Sequence, residues 1–406
     1  MVMHLYHWGI IYDSQTNKRI KCHVPSKIVV SQRIEANFEQ VACGTNFTVA
    51  LGSNHRVYVV GDEPKYGRLG QGDDQTIVPT LTLVKGNIPP IGFIASGPST
   101  TILLAMDKRE LWGFGKGIGC VAKQILQSDQ IITHCCCSEN SLTVVIGGSE
   151  IKERRFNRDG FTTEWVSIYQ LPDANDRIQH IDIGASVNGF VTEQGHVYLW
   201  GPTVPYGKVS SEENFRNVSI DNPVQRDLRT DNNERPLQIS CSRGQFHAHV
   251  LLLTEQGSIY SMGSNYKAKL GIESNQLFTG EWTLIESTRS CPFEHGSIYS
   301  MGSNYKAKLG IESNQLFTGE WTLIESTRSC PFKRIASGGI HSSALSNDGR
   351  AFTWGCGSDG RLGHAEAQGH RYLYKEHEPR PIDLFNNQQV ASIATSYYHM
   401  AAIVVQ

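Results

Sequence analysis

The residue groupings best able to do chemistry are few, and each has a plain structural reading. Gly113-Phe-Gly-Lys-Gly-Ile-Gly119 is rich enough in glycine to suggest a phosphate cradle. A phosphate loop, however, opens a helix, and its best-known form ends in Gly-Lys followed by Ser or Thr. No helical periodicity follows this stretch, so it reads as the turn-rich end of a strand. The carboxylate pairs Asp73-Asp74 and Glu212-Glu213 could share acid and base roles, but they lie in polar segments that keep them solvated. The chain has ten cysteines, including the run Cys135-Cys136-Cys137. None forms a Cys-x-x-Cys pair with a second pair at zinc spacing, and adjacent cysteines suit a disulfide framework poorly. They read as small buried thiols in a reducing compartment, cytosolic or nuclear. No G-x-S-x-G elbow, H-E-x-x-H pair or kinase motif set occurs. The expectation is a protein with no catalytic residue, no metal site and no cofactor.

One histidine pattern recurs. A Gly-x-x-His-like corner ends at His341, at His399 and at His247 (or His249, since that corner is longer), whereas Phe47, Thr100, Ser141 and Val187 stand at the matching places elsewhere. A site requiring all seven histidines is excluded. Each histidine is expected to tie a corner through a side-chain-to-backbone hydrogen bond.

These corners belong to a repeat. Near the C-terminus, Ile335–Leu345 reads as a strand, a corner and a second strand. Ser346-Asn-Asp-Gly349 is a tight turn, Arg350-Ala-Phe-Thr-Trp-Gly355 a third strand, and Cys356–Gly363 a glycine-rich loop. The same order appears at Val41–Gly70, Ile94–Gly115, Ile181–Lys208 and Ile239–Gly263, and in degenerate form at Ile132–Phe156. The N-terminal Leu5-Tyr-His-Trp-Gly9 has no strands before it, and Val390–Val405 has no Trp-Gly strand after it, so the two ends complete one unit. That makes seven units. A second repeat is literal: Gly257–Phe293 recurs word for word as Gly296–Phe332, an offset of 39 residues. Identity at every position, surface included, points to a recent duplication or a gene-model artefact. Without those 39 residues the 406-residue chain holds 367, about 52 for each unit.

Composition agrees with a folded β protein. Hydrophobic residues make up 39%, which together with 39 glycines excludes a largely disordered chain. A net charge of −2 lacks the concentrated basic field of a nucleic-acid binder. Apolar runs such as Thr101–Met106 are too short to span a bilayer, and the N-terminus lacks a signal-peptide pattern. Short strands rich in Val, Ile, Tyr, Phe and Trp, four to a unit, cannot bury both faces of a lone sheet. Packing the sheets radially does, and leaves only short edges. The expected architecture is an all-β, seven-bladed β-propeller forming a single domain over 1–406, with one blade shared by 1–20 and 388–406.

The units also carry C/S-G-x-x-H-S-x-A-L, x-D-G-x-V-Y-x-W-G and x-G-R-L-G, and in these they resemble the repeat of the regulator of chromosome condensation family. The resemblance is strongest at Ile335–Gly363 and Val41–Gly72 and weakest over 131–170. It implies a seven-bladed propeller, protein partners and, in the family's founding activity, guanine-nucleotide exchange on a Ran-like small GTPase. No wedge-like hairpin stands outside the duplicate and no basic tail is seen. The first reading is therefore a noncatalytic interaction scaffold in small-GTPase, cytoskeletal or ciliary, or ubiquitin-linked regulation, cytoplasmic or nuclear. Nucleotide exchange is the alternative. Recognition is expected on the long loops Thr203–Asp227 and Gly363–Pro379, through Tyr206, Arg216, His364, His370, Arg371, Tyr372 and Tyr374. The basic run Ile151–Arg158 reads as a wet surface. The duplicate is too short for an eighth blade and is expected to bulge at a blade boundary, with either copy able to fill the native slot.

Overall fold

The computed structural model describes residues 3–16, 18–30, 37–62, 67–72, 77–139, 141–156, 164–184, 187–204, 218–226, 235–241, 249–254, 259–264, 278–284, 299–303, 317–323, 332–337, 341–346, 348–368, 374–396 and 398–406. Those residues form seven four-stranded antiparallel sheets and one two-stranded sheet. Numbered along the chain, blade 2 holds β3 (Phe38–Gly44), β4 (Phe47–Gly52), β5 (Val57–Asp62) and β6 (Ile77–Leu83), hydrogen-bonded in that order. Blades 3, 4 and 5 repeat the pattern with β7–β10 (Ile91 to Gln127), β11–β14 (Ile132 to Gln170) and β15–β18 (Ile178 to Arg226). Blade 6 is β19–β22 (Pro236 to Leu284), and blade 7 is β25–β28 (Phe332 to Pro381).

Blade 1 joins the two ends of the chain. β1 (Met3–Asp13) and β2 (Lys18–Lys27) pair with β29 (Gln389–Thr395) and β30 (His399–Val405) in the order β2-β1-β30-β29. The closing ladder runs from Met3 opposite Val405, through Leu5 opposite Ile403, to Gly9 opposite His399. The strand alternates as a two-sided sheet must. Leu5 and Ile403 face blade 2, while Tyr6, Trp8, Met400, Ala402 and Val404 face blade 7.

The core is not one lump but a set of junctions. Phe47, Val49, Leu51, Val57 and Val59 of blade 2 pack on Ile91, Ile94, Leu103 and Phe114 of blade 3. Similar clusters fill the junctions of blades 3 with 4, 4 with 5, 5 with 6, 7 with 1 and 1 with 2. Second strands such as Phe47-Thr-Val-Ala-Leu-Gly52 and Thr100-Thr-Ile-Leu-Leu-Ala105 are buried throughout, because a sheet covers each face.

Each innermost strand shows a register shift within its first four residues, at Phe38/Gln40, Ile91/Phe93, Ile132/His134, Ile178/His180, Pro236/Gln238, Phe332/Arg334 and Val390/Ser392. Such bulges bend a strand and raise its twist. The inner edges have no fifth strand to satisfy them, so side chains of a neighbouring blade serve instead. Gln40 Nε2 donates to the Gly92 carbonyl (3.2 Å), and its Oε1 accepts from the Ile94 N–H (3.1 Å). Asp182 Oδ2 accepts from the Cys241 N–H at 2.7 Å.

The duplicate does not build an eighth blade. Copy one supplies β21 (Ile259–Ser264) and β22 (Phe278–Leu284), which complete blade 6 beside β20 (His249–Thr254). Copy two folds as β23 (Tyr299–Ser303) and β24 (Phe317–Leu323), a separate two-stranded sheet.

Candidate functional site: the loop face of the propeller

In each blade the corner between the first and second strands lies at the same end as the connection between the third and fourth. This follows from antiparallel order. The ladders confirm it: Gly9 lies opposite His399, Gly61 opposite Phe47, Gly115 opposite Thr100, Gly263 opposite His249 and Gly355 opposite His341. The recurring histidine and the recurring Trp-Gly glycine are therefore one structural position seen from two strands. In blade 6 the ladder assigns that position to His249; His247 lies outside the described residues. The opposite end carries tight turns, closed by hydrogen bonds such as His55 N–H to the Gly52 carbonyl, Gly195 N–H to Thr192 and Gly349 N–H to Ser346.

His341 and His399 are both 2% exposed. His399 lies within a side-chain chain rather than the expected backbone tie alone: Nδ1 meets Ser396 Oγ at 2.8 Å, and Nε2 meets Thr48 Oγ1 of blade 2 at 3.2 Å. It thus joins the closing blade to its neighbour. His341 departs from the expected backbone tie: among the described residues neither ring nitrogen has a hydrogen-bond partner. Burial holds it down to about 3, helped by the Arg361 cation and His399. Burial likewise lowers His399 to about 4, against a backbone hydrogen bond at Phe47. Both are therefore neutral imidazoles at neutral pH.

The Gly-Arg-Leu-Gly loops act as staples between blades. Gly360 lies against the Cys22 carbonyl of blade 1, and Gly363 lies against the Trp8 indole. Trp8 Nε1 donates to the Arg361 carbonyl at 2.9 Å. The buried Arg361 guanidinium pairs with Asp359 and stands 5.6 Å from the Tyr398 ring centroid. Asp359 also pairs with Lys21 of blade 1 at 2.6 Å. Burial raises the Asp359 carboxyl, but Lys21 and Arg361 outweigh it and hold it below its ordinary value. The equivalent loop of blade 2 places Leu69 beside Phe114, and the Gly72 N–H donates to the Cys120 carbonyl of blade 3 at 2.8 Å.

Of the seven expected recognition residues, Tyr206, Arg216, His370, Arg371 and Tyr372 lie outside the described residues. His364, expected on an exposed loop, is instead interior at 1% exposure. Thr353 Oγ1 donates its single proton to the Leu362 carbonyl (2.7 Å), so the ring Nε2 donates to Thr353 at 3.0 Å. The loop turns inward there because its glycines grip blade 1. Tyr374 is partly exposed, but its ring covers Gly357 and its hydroxyl joins Glu376 and Arg380. Arg380 also binds Glu366 (2.7 Å) and Asp383 (2.9 Å). That network fixes the base of the loop. The sequence signal that could have found it is the Tyr374-x-Glu376-x-x-x-Arg380 spacing.

The other chemical candidates resolve as structure. Gly115 has φ +104°, and an added Cβ would lie 2.4 Å from the Ser99 carbonyl oxygen. The glycine-rich stretch is therefore a strand end and turn. In the basic run, buried Glu153 pairs with Arg155 at 2.8 Å. Asp73-Asp74 and Glu212-Glu213 lie outside the described residues. Cys135 and Cys137 pack into the junction of blades 3 and 4, and Cys136 into that of 4 and 5. Burial pushes the thiols of Cys43 and Cys135 up to about 12. Iodoacetamide at pH 8 is expected to spare both in the native protein, since the thiolate is the nucleophile. Labelling at the rate of the urea-unfolded chain would refute it. Among the described residues no group of three or more His, Cys, Asp or Glu could hold a metal, and no helix is long and apolar enough to cross a membrane.

Comparison with known proteins agrees with this geometry. The model of the regulator of chromosome condensation (RCC1) repeat matches residues 348–403. That span takes two strands from blade 7 and two from blade 1, so the sequence repeat is offset from the blade. The RCC1 domain-containing protein RUG3, mitochondrial, of Arabidopsis thaliana is 44% identical over 69 residues, 17% of this chain and 14% of that protein. The protein RCC2 homolog of Xenopus laevis is 28% identical over 219 residues, 52% of this chain and 38% of that protein. The matched stretches thus span well under half of these relatives. Among solved structures, Prp20p of Saccharomyces cerevisiae superposes with a TM-score of 0.65 at 15% identity, covering 100% of this chain and 92% of that one. Seven four-stranded sheets and a blade shared between the chain ends make this chain a seven-bladed β-propeller, and residues 348–403 within it carry the regulator of chromosome condensation (RCC1) repeat.

Proposed function

We propose that the chain is a noncatalytic protein-interaction scaffold that grips its partner with the loop face. The observation that carries this is the asymmetry between the two faces. The third-to-fourth-strand connections, 205–217 after β17 (Val197–Val204) and 357–374 after β27 (Ala351–Cys356), leave from one face, whereas the second-to-third-strand connections on the other face are tight turns and that face otherwise carries the links between blades, 285–331 among them. Long loops on a rigid ring are where recognition residues gather. The described titratable groups on this face include buried histidines and paired charges, which suit holding a shape better than moving protons. It would serve small-GTPase, cytoskeletal or ciliary, or ubiquitin-linked regulation, in cytoplasm or nucleus.

The test is binding measured against face. Arg371→Ala with Tyr372→Ala should weaken capture of a cognate partner by at least about tenfold, or about 1.4 kcal/mol. Glu193→Ala, on an exposed tight turn of the opposite face, should leave it unchanged. Equal effects from both faces would sink the proposal. Guanine-nucleotide exchange is the competing reading, because Prp20p was described together with its binding to Gsp1p and histones. Exchange requires tighter binding to the nucleotide-free GTPase than to the loaded one. Acceleration of mant-GDP release above about tenfold by micromolar protein, across a panel of small GTPases, would move the chain to that class.

A further inference from the structure

The hairpin β23–β24 is a spare part. Its sequence is that of the outer half of blade 6, and so is its ladder. Tyr260 faces Leu284, Ser261 faces Thr283, Gly263 faces Thr279 and Ser264 faces Phe278; in the second copy Tyr299 faces Leu323, Ser300 faces Thr322, Gly302 faces Thr318 and Ser303 faces Phe317. Every pair is displaced by the same 39 residues as the sequence repeat. Among the described residues β23 pairs with β24 alone, and no described strand lies along its other edge. In copy one that edge is filled by β20, from Val250 opposite Met262 to Leu253 opposite Ile259. An open edge is a template for a further strand, and here the strand it fits is already known. It is β20 of the same chain.

We propose that blade 6 exchanges between two threadings, in which either copy pairs with β20 and the other is looped out. Local contacts within the blade are the same in both, because the residues are the same. What differs is loop length. In the arrangement described, four residues separate Thr254 from Ile259, and 47 separate Leu284 from Phe332. In the other, 43 residues would separate Thr254 from Ile298, the counterpart of Ile259, and eight separate Leu323 from Phe332. Closure probability falls as about the three-halves power of loop length, so the described threading is favoured by only about 2.5-fold. The duplicate is thus a conformational alternative built into the chain, and it goes beyond the scaffold reading without depending on it.

The test is a double-mutant cycle on the two equivalent glycines. At the matching positions of blades 1, 2 and 3, an added Cβ would stand 2.4–2.5 Å from a backbone carbonyl oxygen. A copy carrying Val at this glycine therefore cannot seat. In urea titrations of the full chain, Gly263→Val should lower the folding equilibrium constant about 3.5-fold, because copy two takes the slot, and Gly302→Val about 1.4-fold. The double variant should lose at least about 100-fold, far more than the product of the singles. A double variant that fails to fold while both singles fold gives the same answer. Additive effects, or a Gly263→Val loss equal to that of the double variant, would overturn the proposal.

Discussion

Stability should drop by about 5.5 kcal/mol between pH 7.5 and 5.5, because four histidines must stay neutral for the blades to close. His7, His341, His364 and His399 are each held far below the ordinary 6.5, to about 3, 3, 4 and 4. For each, burial is the first cause. Arg361 adds to it at His341, and Arg380 at His364, where Glu376, Asp383 and Glu366 pull the other way. The sign follows from linkage. The unfolded chain takes up protons as pH falls through 6.5, while the native state resists until about 4 or lower. Stability is therefore complete above 6.5 and falls by about 1.4 kcal/mol per histidine per pH unit below it. Against a typical total of about 5–15 kcal/mol, this is a large fraction. His134 and His180 are shifted the same way. The lowered carboxylates Asp348, Asp359 and Glu366 have ordinary values of 3.8 to 4.5, so they add acid sensitivity only below that window. Urea midpoints at half-unit pH steps measure the slope. His341→Leu should flatten it by about 1.4 kcal/mol per pH unit, whatever it does to stability at pH 7.5. An unchanged slope would show that His341 titrates normally in the native state.

The histidines also show what sequence could reach. Trp8-Gly9, Trp200-Gly201 and Trp354-Gly355 announced third strands, and their spacing from Gly-x-x-His corners announced the strand order, because both marks recur at fixed places within a unit. Closure of the ring followed from two incomplete ends. What could not be read was anything crossing between blades. Arg361 looks like an exposed loop cation in sequence, yet its backbone carbonyl takes the Trp8 indole N–H from 353 residues away. Asp182 and Gln40 look like surface residues on half-polar strands, yet each satisfies the open inner edge of another blade. His364 was misplaced for the same reason: local polarity suggested solvent, while the glycines around it let the loop lie flat on blade 1. Periodicity reports which face of a strand is apolar. It carries no information about which distant backbone group a polar side chain will meet.

That lesson gives the second large effect. Gly9→Val is expected to destabilise the protein by more than about 3 kcal/mol. Gly9 has φ +92°, a region that a branched residue rarely adopts, and it sits where three backbones converge. An added Cβ would lie 2.4 Å from the Tyr398 carbonyl oxygen, 2.9 Å from the His399 Cα and 3.3 Å from the Arg361 Cα. None of these is the end of a flexible side chain. Relief requires parting β1 from β30, which opens the ring, or lifting the Arg361 loop, which breaks the Trp8 indole bond. Gly72 separates strain from collision: its φ is +97°, but nothing lies within 4 Å of an added Cβ. Gly72→Val should therefore cost only about 1–2 kcal/mol, the price of the backbone conformation alone. In Gly9→Val, the loss should appear together with faster amide hydrogen exchange along Met3–Gly9 and His399–Val405, because the noncovalent closure is the contact under load. If Gly9→Val and Gly72→Val differ by less than about 1 kcal/mol, the terminal ladder is looser than its register implies, and closure by the chain ends is not what holds the propeller shut.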